Sequence, residues 1–240
     1  MEFPSTLQEG VLIKRYKRFL TDIKTSSGET ITIHCPNTGS MKNCQDPDSR
    51  VWYSDSGNPK RKYPCTWQIV EAEGRHLVGI NTGLANKLVE EGIGSGAIKE
   101  LQGYSSIRRE VPYGEQKSRI DILLEDERQI RGRCYVEIKN VSLGVGNGLG
   151  LFPDAVTTRG QKHLQELMTI KKQGDRAVLL FCVQHEGINE VKPADEIDPD
   201  YGKLLRQAAE AGVEVLAYGA EFSISKNSIA LNKPLTVSLD

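Results

Sequence analysis

Residues 118–141 read SRIDILLEDERQIRGRCYVEIKNV, and this stretch decides the fold. Two β-type runs flank a charged turn. The first, 119–124, carries Asp121 between Ile120 and Ile122. The second, 134–141, carries Glu137 and Lys139 around Ile138. Side chains on a strand repeat every two residues, so Glu137 and Lys139 share a face, roughly 6.6 Å apart along it. A hairpin centred near Gln129 sets Asp121 opposite Glu137, because the two positions lie equally far from it. That register gathers two carboxylates and one ammonium into a single cluster.

Such a cluster has a chemical use. Two carboxylates on adjacent strands suit Mg²⁺ or Mn²⁺, which prefer oxygen ligands. The Ile138 main-chain carbonyl is a candidate third oxygen. An ion held there acidifies a water and neutralises charge developing on a phosphate, and Lys139 is placed to orient that water. The pattern D-(x)n-E-x-K resembles the signature of the PD-(D/E)xK nucleases. Taken alone, the same residues also describe a hairpin whose solvated face carries charges.

Outward from the hairpin, the chain reads as an α/β domain. Residues 107–111 form a strand before it, with Glu110 as a candidate additional acidic ligand, preferred over Glu100. Gly144, Gly146, Gly148 and Gly150 make a loop after it. A helix capped by Thr157 or Thr158 runs to about Gln173, with Leu164, Leu167 and Met168 as its apolar stripe. Residues 176–184 (RAVLLFCVQ) read as a buried strand, 199–211 as a helix and 213–218 as another buried strand. Strand–hairpin, helix, strand, helix, strand is an α/β sandwich in the core order of the PD-(D/E)xK fold. Arg159, Lys162 and His163 start the first helix, where cations oppose the macrodipole, so a phosphate ligand is the reason considered for them.

The first eighty residues read differently. Five or so short strands, over 10–16, 18–24, 29–34, 50–54, 66–72 and 76–80, suggest a small barrel of the OB type. Arg15 and Lys17 would project together from a strand, with Lys14, Tyr16 and Arg18 opposite. Lys60, Arg61 and Lys62 form a second basic patch in a loop. Trp52, Tyr53 and Trp67 lie nearby, so the expectation is contact with DNA phosphates, with rings available for stacking. The competing reading is a solvated strand face beside core tryptophans. The turn 36–41 (PNTGSM) is either an anion nest or a structural closure. The division expected is 1–82 for the barrel and 83–240 for the nuclease-like domain, with a helix over 82–91 and Gly92, Gly94 and Gly96 at the junction.

At 240 residues, with 31 Lys+Arg against 32 Asp+Glu and a net charge of −1, the chain does not advertise nucleic acid by overall basicity. Five cysteines (Cys35, Cys44, Cys65, Cys134, Cys182) without a C-x-x-C pair argue against a disulfide framework or thiolate zinc. The N-terminus lacks signal-peptide features, and no apolar run approaches the ~20 residues of a membrane helix, so a cytoplasmic protein without a membrane partner is expected.

Five motifs, RYKRFLTDI (15–23), CPNTGSM (35–41), SRIDILL (118–124), VEIKNV (136–141) and FPDAVTTRGQKHLQEL (152–167), together resemble the bacterial sugar fermentation stimulation protein A family. The resemblance spans essentially the whole chain. It implies an N-terminal OB-like domain and a C-terminal PD-(D/E)xK-like domain. It also implies DNA binding without marked sequence preference and a regulatory link to maltose metabolism. The metal-type positions fall on Asp121, Glu137 and Lys139. The loop 144–150 departs from the expected pattern in carrying no acidic residue. The expectation is a DNA-binding protein with a nuclease-like divalent-metal site. The alternatives are an active Mg-dependent endonuclease or exonuclease on DNA or RNA, and a regulator that contacts other proteins. A homodimer stays open as an assembly.

Overall fold

The computed structural model describes residues 1–113, 118–127 and 131–240. The N-terminal strands are β1 (Gln8–Tyr16), β2 (Leu20–Thr25), β3 (Thr30–His34), β4 (Arg50–Asp55), β5 (Cys65–Ala72) and β6 (His76–Gly79). Their sheet order is β3-β2-β1-β4-β5-β6, and a further β3–β5 pairing closes β1-β2-β3-β5-β4 into a five-stranded barrel. The closing pair is parallel and the others antiparallel. This is the OB topology expected from the strand spacing. Closure removes the exposed edges that short strands would otherwise present. Alternation puts Leu12, Ile23, Ile33, Val51, Trp67 and Val70 inside.

The barrel's basic run is placed otherwise than expected. β1 ends at Tyr16, and Lys17 and Arg18 occupy the turn to β2 with φ of 51° and 65°. They therefore share no strand face with Arg15. Left-handed backbone at two successive residues tightens the hairpin and turns both side chains outward. Trp52, Tyr53 and Trp67 are all buried and present no free ring.

After α1 (Ala85–Gly94) the chain builds a nine-stranded sheet from β7 (Ser106–Tyr113), β8 (Ser118–Glu125), β9 (Arg133–Val141), β10 (Leu143–Gly144), β11 (Leu149–Phe152), β12 (Arg176–Val183), β13 (Glu190–Pro193), β14 (Glu214–Ser223) and β15 (Ser228–Val237). Helices α2 (Thr158–Lys172) and α3 (Pro199–Glu210) connect β11 to β12 and β13 to β14. The order is β10-β11-β13-β15-β14-β12-β9-β8-β7. β9, β12 and β14 run parallel, which is why β12 is apolar along nearly its whole length. One face packs on α1 through Ile122, Val136, Ile138 and Leu180, the other on α2 and α3 through Leu123, Leu179, Leu164 and Leu205. The expected core order, hairpin, helix, strand, helix, strand, is the observed one. Gly92 and Gly94 lie inside α1 rather than beyond it; a Cβ on Gly92 would meet the Ile98 side chain at 3.0 Å, so glycine lets the helix end close onto the next turn.

The two parts share a core. Trp52 and Ile69 of the barrel pack with α1 and the α/β sheet. Glu2 bridges to Ser228, and Phe3, 5 % exposed, packs in the α/β core, so the first residues belong spatially to the second unit. Burying such a phenylalanine is worth about 1.5–3 kcal/mol. No helix among the described residues is long and apolar enough to cross a membrane.

Candidate active site

The β8–β9 ladder runs Glu125↔Arg133, Leu124↔Cys134, Leu123↔Tyr135 and Ile122↔Val136, then opens. Each pair is centred on position 129, which itself lies outside the described residues. Continued by one residue, this register would set Asp121 opposite Glu137. At the opening the Asp121 side chain replaces the main-chain ladder. Its Oδ2 accepts from Ile138 N at 2.7 Å, and its Oδ1 accepts from Asn86 Nδ2 of α1 at 2.9 Å. In a strand the N–H and C=O of one residue point the same way, so the Ile138 carbonyl faces this gap as well. Burial raises the Asp121 carboxyl above its ordinary value and the charge of Glu137 adds to that; the Ile138 N–H, Asn86 and Lys139 oppose.

Glu137 is 2 % exposed. Its Oε1 accepts from Lys139 Nζ at 2.7 Å and from the Nδ1–H of His163 on α2. Lys139 Nζ also lies 3.0 Å from His163 Nδ1, and Arg159 Nε donates to His163 Nε2 at 3.4 Å, which places the imidazole proton on Nδ1. Burial alone would raise the Glu137 carboxyl, but His163 and Lys139 outweigh it and hold the group below its ordinary value. The second oxygen, Oε2, is buried without a hydrogen-bond partner. Among the described residues no three His, Cys, Asp or Glu side chains converge as a preformed metal cage. The donors at the gap are instead two carboxylates and one main-chain carbonyl, a hard-oxygen set, with one carboxylate oxygen unclaimed. That set fits a divalent ion that keeps several waters.

A cavity of about 300 Å³ adjoins this centre, lined by Glu110, Ser118, Arg119, Arg159, Lys162 and His163. Helix α2 begins at its rim. Thr157 caps it by accepting from Gly160 N, and Asp198 Oδ2 accepts from Thr157 N, so Arg159, Lys162 and His163 are held in place despite opposing the helix dipole. Glu110 reaches the same neighbourhood with φ of 53°. It is exposed, and its Oε1 accepts from the Asn86 amide that also serves Asp121, at 3.3 Å. Glu100 is elsewhere, accepting from the Tyr218 hydroxyl.

The barrel's expected contacts lie outside this cavity. The Arg15 guanidinium is engaged with main-chain carbonyls of Arg18 (2.8 Å), Asn37 (2.9 Å) and Gly39 (2.9 Å). It pins the 37–40 loop instead of facing solvent. Lys17 and Arg18 are exposed in their turn; Lys60, Arg61 and Lys62 are exposed in the β4–β5 connection, with Arg61 donating to the Thr66 hydroxyl at 3.3 Å. Asn86, Arg119 and Glu166 went unread in the sequence. Arg119 neighbours Asp121, and Glu166 lies one turn beyond His163 on the same helix face, so spacing alone would have found both. Asn86 comes from another element and gives no such signal. Both Glu166 carboxylate oxygens and the Tyr113 and Tyr201 hydroxyls are buried and unpartnered. Burial raises both tyrosines, and the charge of Glu137 contributes to each.

With this geometry in place, the chain can be set beside known proteins. Residues 13–80 match the family model of the SfsA N-terminal OB domain, and 83–226 match that of the sugar fermentation stimulation protein RE domain. A sugar fermentation stimulation protein homolog of Thioalkalivibrio sulfidiphilus is 57% identical over 239 residues, covering 100% of this chain and 98% of that one. A homolog of Shewanella halifaxensis is 59% identical over 223 residues, covering 93% and 94%. The solved structure of Pyrococcus furiosus SfsA in complex with Ca²⁺ superposes with a TM-score of 0.85 at 28% identity, covering 99% of this chain and 98% of that one. The chain belongs to the sugar fermentation stimulation protein family.

Proposed function

We propose that the protein binds nucleic acid through its phosphates and hydrolyses phosphodiester bonds at the Asp121–Glu137–Lys139 centre with a divalent cation, Mg²⁺ or Mn²⁺. The observation that supports this reading is the opened β8–β9 ladder, where Asp121 takes the Ile138 N–H and feels the charge of the buried Glu137, beside a cation-lined cavity. The crystallisation of a family member with Ca²⁺, an ion of the same oxygen preference, supports the cation. Asp121, Glu137 and the Ile138 carbonyl would hold it, with Glu110 in reach of the same neighbourhood. When bound, the ion would supply charge against the phosphate and lower the pKa of a water.

The chain's own groups do the rest. Arg159, Lys162 and Arg119 line the cavity where a phosphate would sit, and guanidinium groups match phosphate oxygens in pairs. Lys139 is anchored by Glu137, so its ammonium is held at low exposure next to the reacting position and can orient a water. His163 carries its proton on Nδ1, towards Glu137, and leaves Nε2 to Arg159. Nothing here reads base edges, and no sequence preference is expected from these contacts.

Incubation with single- and double-stranded DNA and RNA, with Mg²⁺ or Mn²⁺, tests the reading. Cleavage that disappears in Asp121→Asn is expected. Cleavage surviving that substitution, or an inert parent protein under every divalent ion tried, overturns it.

A further inference from the structure

The two basic segments of the barrel, Lys17–Arg18 and Lys60–Lys62, are far apart in sequence but come to one end of β3. The Phe19 carbonyl accepts from Cys35 N at 2.8 Å, and Leu20 pairs with His34. His34 in turn pairs with Thr66, whose hydroxyl accepts from Arg61. Burial lowers the His34 imidazole and the charge of Arg61 lowers it further, which places that guanidinium close by. The β1–β2 turn and the β4–β5 connection therefore border His34 from two sides. In barrels of this topology these two connections flank the face of β2 and β3 that takes up oligonucleotides or oligosaccharides.

Phe19 stands at this point. It is 46 % exposed and is the one aromatic among the exposed large apolar side chains of the described residues. Its turn is rigid: two left-handed residues precede it, and the Arg15 guanidinium clamps the Arg18 carbonyl. The barrel's ion pairs use Lys14, Arg50 and Arg75, leaving Lys17 and Arg18 exposed beside Phe19 in the chain and Lys60–Lys62 exposed on the facing connection, where Lys62 lies over the Tyr63 ring at 5.5 Å. Exposed charge of one sign beside an outward ring suits a polyanion with free π-faces.

The same turn connects to the cleavage centre. Arg15 also holds the Asn37 and Gly39 carbonyls, and both the N–H and the hydroxyl of Ser40 donate to Asp154 Oδ2 at 2.9 Å. Asp154 lies just before the cap of α2, which carries Arg159, Lys162 and His163. We infer that the barrel receives single-stranded nucleic acid, one base stacked on Phe19 and its phosphates on Lys17, Arg18 and the β4–β5 connection, and that the strand runs along the 37–40 loop to the cavity beside Asp121. The inference rests on the nucleic-acid reading above and specifies its substrate class. In a duplex the base faces are already stacked, so only an open strand can use the ring.

Anisotropy titrations of a labelled oligo(dT) and a matched duplex test it. The parent is expected to prefer the single strand. Phe19→Ala should weaken single-strand binding roughly tenfold, as for one lost base–aromatic stack, with duplex affinity and the salt slope unchanged. In Phe19→Trp, added oligo(dT) should quench the new exposed indole, a readout independent of any folding defect in the alanine variant. Unchanged single-strand affinity in Phe19→Ala, or an unquenched Phe19→Trp, overturns the inference while leaving phosphate-directed binding intact. A parent that binds neither nucleic acid, or that binds a neutral oligosaccharide in competition with oligo(dT), overturns it too, the first together with the reading it rests on.

Discussion

The Asp121–Glu137–Lys139 centre and the tip of the barrel hold charge in opposite ways. At the centre, Glu137 and Lys139 are 2% and 12% exposed, and each charge has its partners fixed within the fold. At the tip, Lys17, Arg18 and Lys60–Lys62 stand in solvent on turns. Buried charges interact strongly and feel little salt; exposed ones act by number and are screened beyond about 10 Å at 0.1 M ionic strength. The centre is therefore suited to chemistry and the tip to capture. Substitutions in the two regions should separate in kind.

The largest effect is expected at the centre. Lys139→Met should lower turnover roughly 10²–10⁴-fold, the usual share of one group that handles a proton or orients a water, with oligonucleotide affinity nearly unchanged. A proportional loss of affinity would erase the contrast between the regions. Next comes stability. Glu137→Ala leaves Lys139 buried beside His163 without its carboxylate, and urea denaturation should show a loss of about 3–5 kcal/mol. Truncating an exposed cation such as Lys17 should shift stability by less than about 0.5 kcal/mol.

Two buried histidines sharpen the point. His163 has Glu137 as a partner. His185, 6 % exposed, has His76 at 5.8 Å and is pushed down to about 4 by burial, with His76 adding to it and Glu73 opposing. Its folded value lies below that of the unfolded chain, so the unfolded state takes the proton first as pH falls. Stability should be full above about pH 6.5, fall by roughly 3 kcal/mol towards pH 4, and level off below. Melting temperatures measured across that window should decline less steeply in His185→Asn.

Arg15 tests the barrel itself. Although it belongs to the basic run, its guanidinium serves carbonyls, so Arg15→Ala should destabilise by about 1–3 kcal/mol through the orphaned acceptors while barely altering the salt dependence of binding. The smallest single effects are expected at Lys17→Ala and Arg18→Ala. Each should reduce the slope of log affinity against log salt by about one, uniformly across nucleic-acid sequences.

The site was legible where its residues are local. Asp121, Glu137 and Lys139 lie on two strands of one hairpin, and strand periodicity plus a symmetric register places them without knowledge of the rest. Arg159 and His163 are candidates because cations at a helix start run against the dipole, and both line the cavity beside this centre. Lys17 was misplaced beside Arg15 because a run of five polar residues reads as a strand face, whereas Lys17 and Arg18 are left-handed and the strand ends at Tyr16. Trp52 and Trp67 were offered as stacking rings, but both are core residues, and among the described residues Phe19, inside the basic run, is the exposed ring.

What the residue order determines by itself is what short-range rules control: the alternation that makes the barrel strands, the hairpin register that opposes Asp121 and Glu137, and the cap that starts α2. These depend on neighbours a few residues away, and any fold containing them must respect them. The tertiary structure alone decided that Asn86 reaches across from α1 to hold Asp121, that Arg15 spends its guanidinium on the 37–40 loop, and that two distant basic segments meet at the end of β3. Those pairings follow from barrel closure and from helices docking on opposite faces of a sheet, long-range events that leave no periodic mark in the chain.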